Sequence, residues 1–258
     1  MKRFAVLLVA LSAVPAFADS GEAVVTSALT ELRSHTYFRI SLAGAETRDG
    51  KTKELQSELW WQATGISGPG AYCQLECKDW VDGVLTARTV GDGVSMWAYD
   101  PIRNEYSVST YGSYGGASPA TYMSGAIHAF YSTSKGPAEY LARLISDAFG
   151  SAGAQFTPWL TSRVAGEATA TLVDSSTVSY TFGDPVYRWL RFNVTADGLG
   201  GYALNSFDMH DEQMVAGKKR ITWWVATLYT DDTPPKNTFV FQAPPGSRPI
   251  VGPRPPSK

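Results

Sequence analysis

Gly91-Asp92-Gly93-Val94-Ser95-Met96-Trp97-Ala98-Tyr99-Asp100-Pro101 reads as one extended strand held between two turns. Asp-Gly tolerates the left-handed backbone of a tight turn, Asp-Pro starts turns, and the aromatic residues between them suit a pleated, half-buried chain. Neighbouring side chains on a strand point to opposite faces, so Met96 and Ala98 share one face while Trp97 and Tyr99 share the other.

The same grammar extends in both directions. Upstream, Asp82-Gly83 separates strands expected at 71–81 and 85–90. Farther upstream, Asp49-Gly50 joins the alternating run of Phe38, Ile40 and Leu42 to a strand carrying Leu55, Leu59 and Trp61 on one face. Downstream, a strand follows at 105–111, which makes six in a meander. The period changes at Ser118, which can cap a helix opened by Pro119, with Tyr122, Met123, Ala126, Ile127 and Phe130 on one stripe. A second helix runs from Pro137 through Leu141, Leu144, Ile145 and Ala148 to Gly150. Strands are expected again at 166–173, 177–182, 187–195, 202–210, 220–229 and 238–242, with Asp197-Gly198 as one of the turns. Beyond residue 243 six prolines predict an extended, mobile tail over 244–258 that adds little to a sheet.

At the other end, Val24, Val25, Ala28, Leu29 and Leu32 recur at helical spacing, which predicts an amphipathic helix over 20–33. Residues 1–18 have the form of a signal peptide: Lys2 and Arg3, an apolar run too short to span a bilayer, and Ala16-Phe17-Ala18 as a small-x-small cleavage site. Cleavage is expected after Ala18. Asp19, Ser20 and Gly21 follow with no cysteine for a lipid, so a soluble exported protein with no permanent membrane anchor is expected. The domain division is then 1–18 signal peptide, 19–243 a single β domain with a helical insertion at about 118–150, and 244–258 a Pro-rich tail.

A net charge of −2 and the lack of Lys/Arg clusters exclude a nucleic-acid partner and a polybasic membrane surface. Aromatic residues make up 12% of the chain, enough to demand either a large apolar core or an apolar cavity. Cys73 and Cys77 are the only cysteines. Along an extended strand their Cα atoms would stand about 13 Å apart, so two buried thiols or a bridge across a local break are the alternatives. Three scattered histidines, His35, His128 and His210, give no paired metal-ligand spacing.

The layout of helix, six meandering strands, helical insertion and a second run of strands resembles the LolA-like carriers, the periplasmic lipoprotein-carrier superfamily. The stretch from Gly91 to Pro101, followed by Asn104-Glu105-Tyr106, resembles the family's Asp-Gly, Trp, Tyr-Asp-Pro segment. Phe239-Val240-Phe241-Gln242-Ala243-Pro244-Pro245-Gly246 resembles its final Phe-x-Phe-x-Pro-Pro-Gly strand. The resemblance implies a mainly β protein with helices (α+β). Its strongly curved antiparallel sheet would form an incomplete barrel covered by an N-terminal helix and an inserted helical pair. It also implies a periplasmic carrier or sensor that holds lipid or lipoprotein acyl chains in an apolar cavity under a helical lid, with envelope membrane proteins as further partners. No catalysis and no cofactor are implied.

Wall positions would be those alternating inward on the sheet, Trp61, Leu75, Met96 and Ala98, together with the stripe Tyr122, Met123, Ile127, Phe130, Leu141 and Leu144. The sequence departs from the family at one point. Where the lipoprotein carriers have an aromatic followed by an arginine that helps hold the lid, this chain has Tyr72-Cys73.

Two other function classes stay open at this level. Exposed members of Trp60-Trp61 and Trp223-Trp224 could stack on sugars in a carbohydrate-binding module, and a structural subunit of an envelope complex would need only a partner surface. Enzyme chemistry has little to stand on. Gly65-Ile66-Ser67-Gly68-Pro69 fails the nucleophile-elbow pattern at its last position, no phosphate loop occurs, and His210 with Asp208 and Asp211 reads best as a solvated strand edge.

Overall fold

The computed structural model describes residues 20–32, 34–62, 74–110, 169–181 and 188–250. Its architecture grows from the hairpin β1 (Tyr37–Arg48) and β2 (Lys51–Gln62), whose two loop residues Asp49 and Gly50 both adopt left-handed backbone, φ 54° and 71°. That is the two-residue turn whose twist matches the flanking strands. It sets Phe38 opposite Trp61, Ile40 opposite Leu59 and Leu42 opposite Ser57.

The meander continues through β3 (Gln74–Val81), β4 (Val84–Gly91), β5 (Ser95–Asp100) and β6 (Glu105–Thr110). Asp92 closes the β4–β5 turn by accepting the Val94 and Ser95 amides at 2.8 Å each, and Asp100 does the same for Ile102 and Arg103 in the next turn. The second group comprises β7 (Thr169–Asp174), β8 (Thr177–Thr181), β9 (Arg188–Ala196), β10 (Tyr202–Val215) and β11 (Lys218–Tyr229).

With a short β12 (Arg248–Ile250), these strands form one curved, unclosed sheet in the order β12-β6-β5-β4-β3-β2-β1-β11-β10-β9-β8-β7. Each group is a local meander, and the two meet where β11 lies antiparallel to β1, Arg39 opposite Tyr229 through Arg48 opposite Arg220. The chain leaves the first group at β6, near one edge, and resumes at the opposite edge, β7. The inserted helical pair expected at 118–150 lies outside the described residues, as do Cys73 and the Tyr72-Cys73 position. Cys77 is buried.

One helix is described, α1 (Gly21–Leu32), within the 20–33 span that the periodicity suggests. Ser20 caps it by accepting the Ala23 amide at 3.2 Å. Its buried stripe of Val24, Val25, Ala28 and Leu32 packs against β10, β7 and β8.

The C-terminal stretch differs from the sequence expectation twice. Residues 238–242 do not form a strand. Thr238 turns back on Pro235 through its amide and hydroxyl, and Asn237 has φ 68°. The reason is topological: both edges of β11 are already taken, by β1 and β10, so a following strand has no free edge beside it. The chain instead crosses a face of the sheet. Asp232 takes two hydrogen bonds from the Arg39 guanidinium on β1, and Phe241 stacks on Trp97 of β5 (5.8 Å) and tilts against Tyr106 of β6 (5.2 Å). The second difference is β12 (Arg248–Ile250), inside the segment expected to stay out of the sheet, which pairs in parallel with β6. The prolines permit this because β12 is the outermost strand, where the missing Pro249 N–H faces no neighbour.

Candidate functional site

Strand alternation divides the sheet into two faces with different chemistry. On the inner face, cross-strand rows can be followed from register to register. One row runs Phe38, Trp61, Leu75, Gly91, Met96 from β1 to β5. The next runs Leu228, Ile40, Leu59, Cys77, Thr89, Ala98. A third crosses both groups as Val178, Phe192, Phe207, Ala226, Leu42, Ser57, Asp79 and Ala87, and a fourth as Leu190, Met209, Trp224, Gly44, Leu55 and Val81. Nearly all of the apolar members are buried, and Phe38 stacks on Trp61 with ring centroids 5.0 Å apart.

Beyond the fourth row the character changes abruptly. The fifth carries Asp211, Thr222, Glu46 and the exposed Lys53, and the sixth Arg220 and Arg48. Arg220 lies 4.0 Å from Asp211. Along the strands the inner face therefore grades from apolar to charged.

Of the expected wall residues, Trp61, Leu75 and Met96 fall in a single row and are buried; Ala98 is on the same face, one row away, and exposed. Tyr122, Met123, Ile127, Phe130, Leu141 and Leu144 lie outside the described residues. The structure adds Phe38, Ile40, Leu42, Leu59, Trp224, Ala226 and Leu228 to the inner face. The β1 and β2 members follow from the Asp49-Gly50 turn alone, since a two-residue loop fixes which positions oppose each other.

One polar pair is set into the apolar rows. Ser57 donates a short hydrogen bond to Asp79, and burial pushes the Asp79 carboxyl up to about 7 although that bond favours its ionised form. Asp79 stands at a bulge, where β3 and β4 slip register between Asp79 and Trp80.

The outer face is polar and aromatic. Glu76, buried there, is held by Lys78 at 2.8 Å and Arg88 at 2.7 Å. Arg39 lies over the Tyr229 ring at 3.9 Å and bonds Asp232, beneath the crossing segment. An open depression of about 370 Å³ between Ser41, Gln56, Glu58 and Trp80 is too polar to hold an acyl chain.

The two tryptophan pairs resolve differently. Trp60 and Trp61 are both buried, whereas Trp223 is 45% exposed on the outer face and Trp224 is 4% exposed on the inner. Trp223 stands opposite His210, which stacks on Trp189 at 5.7 Å, and the Arg191 guanidinium lies 4.0 Å over that same Trp189 ring. Trp189 is thus engaged by His210 and Arg191, and the exposed Trp223 stands across the strand pair from that same His210. His210 and Asp208 share the outer face while Asp211 is on the inner one, so the three do not assemble. Burial raises the Asp208 carboxyl, opposed by an Asn193 side-chain donor at 3.2 Å and by Arg191. Among the described residues no group of three His, Cys, Asp or Glu side chains is placed to hold a metal ion, and no helix is long and apolar enough to cross a membrane.

No family model matches this chain, and no curated protein matches it. Among solved structures, it is similar to a DUF1329 family protein from Desulfovibrio piger, at 12% identity over 85% of this chain and 95% of that one, with a TM-score of 0.34. A LolA superfamily protein stands beside it. That protein, NE2245 from Nitrosomonas europaea, is 11% identical over 86% of this chain and 98% of its own, with a TM-score of 0.31. Overlaps this loose leave the function to be read from the chain's own residues.

Proposed function

We propose that this protein is a soluble periplasmic carrier or sensor of amphiphiles, holding lipids or acylated proteins by their acyl chains against the inner face of the sheet. One observation carries the reading: four successive apolar rows end in two charged ones. A hydrocarbon tail gains about 0.8 kcal/mol for each CH₂ removed from water, so a carrier needs a long dry surface. A polar head needs the opposite, at one end of it. The apolar stripe of the inserted segment, Tyr122 to Leu144, is the sequence-based candidate for the facing wall. The activity is binding without catalysis, and no cofactor takes part.

The test is native mass spectrometry of the mature protein after gentle extraction, followed by titration with a fluorescent fatty acid. Co-purified lipid and saturable one-site binding are expected. A protein that emerges lipid-free and leaves the probe unbound overturns the proposal.

A further inference from the structure

Trp224 belongs to the fourth inner row, at the step where apolar gives way to charged. Its indole lies over Gly44 of β1: a Cβ built on that glycine would meet Trp224 Cδ2 at 3.0 Å and clash with the Trp223 carbonyl oxygen. Glycine here is what lets the ring settle against the neighbouring strand. The ring is 4% exposed, yet its Nε1 has no hydrogen-bond partner among the described residues. Its row neighbour Met209 and its same-face strand neighbour Ala226 offer it no strong acceptor, and the hydroxyl of Thr222, its other same-face neighbour, makes no bond to it. Buried indole N–H groups usually find one, and this nitrogen can only donate.

We infer that the Trp224 N–H is the recognition point for the carbonyl oxygen of an ester- or amide-linked acyl chain. The inference rests on the carrier reading above and narrows it to a ligand class. A neutral carbonyl suits the place better than a free carboxylate, because one N–H donor satisfies one carbonyl oxygen, whereas a buried carboxylate needs several donors. The geometry also orients the ligand. From Gly44 to Phe38 is six residues of β1, about 20 Å of strand. A tail running that way passes Leu42 and Ile40 to reach the Phe38–Trp61 stack, while the head remains beside Glu46 and Arg220.

The experiment compares 1-monomyristoylglycerol with its ether analogue 1-O-tetradecylglycerol, which lacks only the carbonyl oxygen. Binding is followed on the indole ¹H–¹⁵N signals of the ¹⁵N-labelled mature protein, with Trp224→Phe identifying the Trp224 signal. The ester is expected to move that signal downfield and to bind about tenfold more tightly than the ether. In Trp224→Phe the preference vanishes and ether affinity is retained. Equal affinity of the wild-type protein for both glycerolipids, with an unmoved Trp224 signal, overturns the inference and leaves the carrier reading intact. Binding of neither overturns both. If the variant does not fold, the wild-type ester-to-ether ratio decides alone.

Discussion

Replacing Asp79 with asparagine should stabilise the protein at alkaline pH and leave it unchanged in acid. Burial on the inner face pushes this carboxyl from its ordinary 3.8 up to about 7. Between those values the folded protein holds a proton that the unfolded chain has released. Stability therefore falls as pH rises through that window, and the whole cost is present above about 7. Taken at face value the gap sets a ceiling of about 4 kcal/mol. Residual solvent access and relaxation around a newly formed carboxylate should roughly halve it, to ~2 kcal/mol. Asparagine keeps the shape and still accepts from the Ser57 hydroxyl, but carries no charge to desolvate. Urea unfolding at pH 5, 6, 7 and 8.5 reads the effect directly. With a slope near 3 kcal/mol per molar, the variant's midpoint should exceed wild type by ~0.7 M at pH 8.5 and by much less at pH 5. Parallel pH profiles for the two proteins would refute the reasoning, because they would mean that the carboxylate is as well solvated folded as unfolded.

Ala216 is the first residue of the β10–β11 turn and adopts φ 52°, so Ala216→Gly or Ala216→Asn should raise stability by ~0.5–1 kcal/mol in thermal unfolding. Gly44→Ala drives a methyl into the Trp223 carbonyl and should cost ~2–3 kcal/mol, with the loss visible as altered near-ultraviolet circular dichroism of Trp224. Phe241→Ala removes the ring held between Trp97 and Tyr106. It should cost ~1–2 kcal/mol and speed amide exchange across 231–247 more than in β1 or β11.

The parts of the fold that could be read from sequence are those with local causes. Asp49-Gly50 determines the β1–β2 register by itself, and so places Trp61 beside Phe38. The Gly91–Pro101 stretch announces both of its turns, and its alternation places Met96 on the inner face. The β10–β11 hairpin was harder to see, because an alanine at a left-handed position carries no turn signal and hides that β10 continues to Val215. Residues 238–242 misled for a different reason: Phe-Val-Phe alternates as a strand should, but pairing needs a free edge, and edge occupancy belongs to the whole sheet. Trp224 was legible only as one of a pair. Choosing it over Trp223 as the buried ring requires the β1–β11 register, set between segments far apart in the chain. The gradient from apolar to charged rows was invisible for the same cause, since each row draws one residue from each strand.

The seam between β1 and β11 gives the molecule an uneven folding history. Within each meander every pairing joins neighbouring strands of the chain, so ordering can spread turn by turn with little loop to close. The seam is another matter: Arg39 on one side of it and Asp232 just past the other are 193 positions apart. Two half-sheets should therefore form early and search for each other late. Until they meet, β1 and β11 are bare edges flanked by apolar side chains, the kind of surface on which chains aggregate. A nascent chain emerges with β1 waiting and its mate among the last strands to appear. A chaperone that shields β1 until β11 arrives should therefore raise the yield of folded protein more than one that protects either outer edge.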